Sequence, residues 1–109
     1  SQAIKAGNTI YVSGQLGLDP ATGAFAGDSV EAQTRQSLLN LTNILREADA
    51  SLADCVRVGV FLADMNDFAA MNSVYAEFFT GDCPARACVE VARLPKDGKV
   101  EIEAIAVID

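Results

Sequence analysis

The run Val100 to Val107 restricts the fold of this chain more than any other segment. By simple alternation Ile102, Ala104 and Ala106 point to one side of a strand, while Glu101, Glu103, Ile105 and Val107 point to the other. Apolar groups therefore occupy both sides. Cys55 to Leu62 follows the same period, with Val56, Val58, Val60 and Leu62 on one side and Arg57, Gly59 and Phe61 on the other, and predicts a central strand.

Two helices are available to cover such a sheet. Asp28 followed by Glu31 is a capping signature for a helix whose Val30, Thr34, Leu38, Leu41, Ile44, Leu45 and Ala48 recur at helical spacing. Asp64 or Asn66 caps a second, in which Phe68, Met71, Tyr75, Phe78 and Phe79 share one side as core, and Gly81 closes it. Thr9 to Ser13 reads as a strand, paired with Ala3 to Lys5 through a turn at Gly7-Asn8, and Gly14 to Gly27 as a long loop. Arg86 to Ala92 and Val100 to Val107 are two more strands, and the turn chemistry of Pro95-Lys96-Asp97-Gly98 predicts that they form an antiparallel hairpin.

The order β-β-α-β-α-β-β is that of an α+β protein, a mixed sheet with both helices on one face. Only one face of the sheet then has a cover. Because large exposed apolar patches are rare on monomers, the other face is expected to meet a second copy in a closed homo-oligomer. The 109 residues fit a single domain, 1–109.

Charge and residue inventory exclude several chemistries. A net charge of -7 opposes phosphate backbones and anionic lipid, so neither a nucleic-acid nor a membrane partner is expected. No apolar run reaches the roughly 20 residues that a bilayer requires, and no basic region followed by an apolar stretch opens the chain. A soluble cytoplasmic protein is the expectation, an organelle after removal of a targeting segment being the variant of it. The chain holds no histidine, and Cys55, Cys83 and Cys88 contain no C-x-x-C pair, so no metal site is expected and Ser-His or Cys-His nucleophile pairs are not available.

The remaining candidates gather near Pro84 to Pro95. Alternation puts Arg86, Cys88 and Glu90 on one strand face. A strand arginine beside small residues can grip a carboxylate with two parallel bonds, or pair with an acidic side chain, and spacing alone favours the ion pair. Glu101 and Glu103 share a face of the last strand, as solvated carboxylates or, partly buried at an interface, as groups that position or deprotonate water. Cys88 has no histidine to activate it and reads as a small buried strand residue. Ser13, at a strand end, and Asn72, in the second helix, can each serve a ligand or act as ordinary turn and surface residues.

The ordered segments Ser1-Gln2-Ala3, Ile10-Tyr11-Val12-Ser13-Gly14-Gln15, Asn66-Asp67-Phe68 and Pro84-Ala85-Arg86-Ala87-Cys88-Val89-Glu90-Val91-Ala92-Arg93-Leu94-Pro95, running into Val100-Glu101-Ile102-Glu103-Ala104, resemble the reactive intermediate deaminases, the RidA or YjgF family. The likeness covers essentially the whole chain. It implies a chorismate-mutase-like fold of the bacillus type, assembled as a homotrimer whose sheets form a central barrel, with three sites in clefts between subunits. It implies 2-iminobutanoate and 2-iminopropanoate deaminase activity, a hydrolase reaction on the C=N bond that turns 2-imino or enamine acids into 2-keto acids and ammonia, with no cofactor. By the same resemblance Arg86 holds the substrate carboxylate, Glu101 orients the attacking water, the Cys88 backbone meets the substrate amine or the water, and Ser13 and Asn72 line the pocket. The family usually carries a Gly-Pro-Tyr run just before Ser-Gln, its tyrosine lining the site. Two other functions compete: a non-enzymatic or regulatory trimer that binds small carboxylates, and a ribonuclease or translation inhibitor, which the acidic charge and the missing histidine oppose.

Overall fold

Gly7 takes a left-handed conformation, φ 60°, and folds the chain back on itself between strands β1 (Ala3–Ala6) and β2 (Thr9–Leu16). In the computed structural model, which describes residues 1–109, the chain continues through helix α1 (Val30–Glu47), strand β3 (Cys55–Leu62), helix α2 (Phe68–Phe78), strand β4 (Ala85–Glu90) and strand β5 (Val100–Val107). The five strands form one mixed sheet in the order β1-β2-β5-β3-β4, in which only β3 and β4 run parallel.

The expected hairpin between β4 and β5 is not formed. β4 returns through α2 and lies parallel beside β3, the pairing that a helical crossover permits, while β5 inserts antiparallel between β2 and β3. The connection passes across the end of β3: the Val91 amide donates to the Leu62 carbonyl at 2.9 Å and the Ala63 amide to the Lys99 carbonyl at 3.1 Å. The reason lies in burial. β5 sinks Val100, Ile102, Ala104 and Ala106 into the core, so both its edges are best paired, whereas β4 leaves Ala85, Ala87 and Val89 exposed and suits an edge.

Both helices lie on one face. Leu38, Leu41 and Leu45 of α1 and Met71 and Tyr75 of α2 join Ile10, Val12, Val58, Val60, Leu62, Val100 and Ile102 in a single core. Each fully buried leucine there contributes about 2 kcal/mol. Val56 departs from the expected pattern: the register slips between Cys55 and Arg57, so Cys55 takes the buried position and Val56 is exposed.

Three helix boundaries differ from the sequence expectation. The α1 cap is Ser29, one residue beyond Asp28, with its Oγ accepting from the Ala32 amide at 3.0 Å. Asp64 caps only the short 3-10 turn Met65–Asp67 that precedes α2, and α2 ends at Phe78 with Phe79 as its cap, before Gly81. No helix is long and apolar enough to cross a membrane.

The opposite face of the sheet carries Ile4, Tyr11, Val89 and Val107, exposed by 56%, 49%, 45% and 43%, together with Phe61, Ile105, Glu101 and Glu103. No element of the chain covers the four exposed side chains. A row of large apolar groups on this scale marks an interaction surface.

Candidate functional site

Register decides which candidates meet. Val58 is paired with Arg86 on one side and Ala104 on the other, so Arg86 shares the helix-covered face. Phe61 is paired with Val89 and Glu101, so Glu101 belongs to the open face. The structure therefore brings Arg86 together with Asn72, and not with Glu101.

Arg86 makes no ion pair. The salt bridges of the chain are Arg35–Glu77 and Arg93–Asp97, both exposed, and the acidic partner that spacing alone favoured for Arg86 is absent. Its Nη1 instead donates to Asn72 Oδ1 at 2.7 Å, and its Cζ lies 4.5 Å from the Tyr75 ring centroid and 5.5 Å from that of Phe68. The guanidinium is half-buried and its charge is uncompensated. That combination calls for an anion from outside the chain.

Cys88 sits two residues further along the same face, its side chain packed against the core. Burial pushes its thiol above the ordinary cysteine range, and the nearby Arg86 opposes this more weakly. β4 is the edge of the sheet, so one flank of the Cys88 segment has no backbone partner. Glu90, the third residue of that face, accepts from the Met65 amide at 2.8 Å and anchors the turn that starts α2. Burial pushes the Tyr75 hydroxyl up to about 12, partly offset by Arg86.

A second cluster of candidates, around Glu101, is built on glycine. A Cβ at Gly14 would lie 2.8 Å from Glu101 Cδ and 3.0 Å from its Oε1, so Glu101 occupies the notch that Gly14 leaves. Gly59 is a second notch, where a Cβ would meet Glu103 Cγ at 3.1 Å. Burial, and then the neighbouring Glu103 carboxylate, raise the Glu101 carboxyl above its ordinary range. It lines a cavity of about 550 Å³ with Gln2, Gly14, Gln15, Leu16 and Asn40 among others. Ser13 lies at the same strand end, and its Oγ donates to the Ser1 carbonyl at 2.8 Å, tying down the start of the chain.

Sequence reasoning missed three features here. Phe68 and Tyr75 were read as core alone, although Phe68, Asn72 and Tyr75 fall at helical spacing of four and three, which aligns them under one partner. Turn-rich composition reads Gly14 as loop, yet β2 runs on through a bulge between Val12 and Gln15 to Leu16, which pairs with Glu101. Gln33, Ser37 and Asn40 form a polar stripe on α1 that holds the end of β2 and the loop after it: Ser37 Oγ donates to the Gln15 carbonyl at 2.6 Å, Asn40 Nδ2 to the carbonyls of Leu16 and Leu18 at 3.2 and 2.9 Å, and Gln33 Nε2 to that of Gly27 at 3.0 Å. Polar residues recurring at three and four beside an apolar stripe are the signal that finds them.

The model of the family described as endoribonuclease L-PSP matches residues 1–108. A RutC family protein of Pyrococcus horikoshii is 56% identical over 106 residues, 97% of this chain and 84% of that protein. A protein of Capra hircus named 2-iminobutanoate/2-iminopropanoate deaminase is 50% identical over 107 residues, 98% of this chain and 78% of that one. The crystal structure of Escherichia coli TdcF with bound serine matches with a TM-score of 0.94 at 45% identity, covering 99% of this chain and 87% of that one. The chain thus belongs to the endoribonuclease L-PSP family, whose solved members carry the names RidA and YjgF.

Proposed function

We propose that the protein is a 2-imino acid deaminase acting on 2-iminobutanoate and 2-iminopropanoate, as a homotrimer in which Arg86 of one copy and Glu101 of another serve the same site. The observation that carries this reading is the uncompensated Arg86 guanidinium, fixed by Asn72 and two ring faces and left without an acidic partner. A guanidinium already held by other groups loses little freedom when it grips a second oxygen pair.

In the proposed reaction Arg86 binds the substrate carboxylate and so sets the neighbouring C=N carbon in place. Water adds to that carbon, the π electrons pass to nitrogen, and the carbinolamine releases ammonia as its hydroxyl proton leaves, giving the 2-keto acid. Glu101 orients the water, takes its proton and returns it to the carbinolamine nitrogen, so that the nitrogen leaves as ammonia while the hydroxyl proton passes back to the Glu101 carboxylate. The iminium carbon is already electrophilic, so orientation matters more than a strong base, and a chain without histidine suffices. The raised Glu101 carboxyl suits a group that must both accept and return a proton. Asn72 keeps Arg86 in place, Ser13, next to the cavity-lining Gly14, is a further substrate contact, and the Cys88 backbone, on the free flank of β4, meets the amine or the water.

The open sheet face supports the trimer. Its apolar row wants a cover, and another copy supplies one along with the second half of the site. The family model's description names an endoribonuclease, but a net charge of -7 and the absence of histidine give a phosphodiester neither attraction nor the usual base.

The test generates 2-iminobutanoate in situ with threonine dehydratase and follows its decay to 2-ketobutyrate. The protein accelerates decay and Arg86→Ala abolishes the acceleration. Decay at the same rate with and without the wild-type protein would contradict the reading.

A further inference from the structure

Arg86 is gripped on two different sides. Asn72 Oδ1 holds the edge of the guanidinium at 2.7 Å, and its Cζ stands over the Tyr75 ring, 4.5 Å from the centroid, nearer than to the Phe68 ring at 5.5 Å. Tyr75 is itself immobilised, stacked on Phe79 with centroids 4.5 Å apart and planes 27° from parallel, both residues being buried. Its hydroxyl is buried without a hydrogen-bond partner. The part of Tyr75 that meets a charge is therefore the ring face.

This arrangement solves a problem of competition. The chain carries fifteen Asp and Glu against eight Lys and Arg, so an arginine has many internal acids to pair with. An internal ion pair would hold Arg86 but would occupy the N–H fork that a ligand carboxylate requires. A ring face attracts the guanidinium from below and uses none of its N–H groups.

We propose that Tyr75 is a positioning residue: through its ring face, and not its hydroxyl, it orients the Arg86 guanidinium plane so that the free side of the fork stays open to a carboxylate. The proposal rests on the reading of Arg86 as the carboxylate-binding group and specifies how that site sets its affinity. In this role Tyr75 acts through Arg86, which it touches, so its effect falls on binding and KM and leaves kcat nearly unchanged.

The experiment is calorimetric titration of 2-ketobutyrate into the full chain carrying substitutions at position 75, with Arg86→Ala as reference. Tyr75→Leu weakens binding and Tyr75→Phe restores it. A series of phenylalanines at position 75 bearing one to several ring fluorines keeps the shape and drains the ring face, and affinity falls stepwise by about three- to tenfold across it, with the melting temperature constant and KM rising in parallel. Should Tyr75→Leu fail to fold, the fluorinated series decides alone. Equal affinity across that series, with Arg86→Ala still defective, would overturn the role of Tyr75 and leave that of Arg86 standing. Unimpaired binding by Arg86→Ala would overturn both.

Discussion

Arg86 and Glu101 stand on opposite faces of one sheet, Arg86 beside Val58 on the helix-covered side and Glu101 beside Phe61 on the open side. β3 separates their strands, which places the two backbones about 10 Å apart before the opposed side-chain directions are counted. A small substrate cannot bridge them within one chain. A site that uses both must draw one of them from another copy.

Gly14 controls the Glu101 carboxyl. Gly14→Ala places a methyl group 2.8 Å from Glu101 Cδ, and the flexible end of the glutamate has to move. We expect kcat to fall about ten- to a hundredfold, with KM and the melting temperature little changed, as steady-state kinetics and calorimetry would show. Unchanged kcat would remove Glu101 from the reaction.

Glu101 also predicts a pH dependence. Burial first and Glu103 second raise its carboxyl, so the folded chain holds this proton more tightly than the unfolded chain does. Its contribution to stability is full below the ordinary carboxylate value and is lost as pH rises through the raised one. Glu101→Gln therefore melts slightly higher than wild type at neutral pH. In activity the sign is reversed, since Glu101 in its proposed role as base must be ionised: the rate then rises with pH through the Glu101 value, and Glu103→Gln shifts that limb to lower pH. A pH-rate profile of the two proteins measures the shift, and an unmoved limb would contradict it.

Asn40 ties the loop after β2 to α1 through the Leu16 and Leu18 carbonyls. Asn40→Ala leaves both carbonyls without this donor and lowers stability by about 1–3 kcal/mol, a drop in Tm on the order of 10 °C. Asn43→Ala, at an exposed position on the same helix, serves as the control and stays within about 0.5 kcal/mol of wild type.

Cys88→Ala separates thiol from backbone. Because burial keeps the thiol protonated at neutral pH, it is a poor nucleophile there. Turnover of Cys88→Ala within a fewfold of wild type, and slow alkylation of Cys88 by iodoacetamide in a chain whose exposed Cys83 is replaced by Ser, are the expected outcomes. Loss of turnover comparable to Arg86→Ala would assign chemistry to the sulfur.

Alternation and helical spacing carried most of the fold into view. The faces of β5, the span of β3 and the buried stripe of α1 follow from residues two, three or four apart, and local geometry enforces them. The partner of β5 does not. Whether β5 pairs with β4 or passes to the far side of β3 depends on which strand buries more, a comparison across the sheet that no short window contains. The same limit hid half of the site. Arg86, Glu101 and Asn72 stood out by residue type and by resemblance, but Tyr75 is indistinguishable from core until Arg86 is seen above it, and Gly14 from loop until Glu101 is seen against it. The Asp28 expectation erred by one residue because Ser29 offers the same capping chemistry next door.

The shared site is most directly tested by mixing two inactive chains. Arg86→Ala and Glu101→Gln are each purified, then unfolded and refolded together in equal amounts, and 2-iminobutanoate hydrolysis is measured. If each site takes Arg86 from one copy and Glu101 from the next around a trimer, random mixing rebuilds one intact site in each mixed trimer, and about a quarter of wild-type activity returns. Mixed assemblies as inactive as either parent would contradict a site shared between copies.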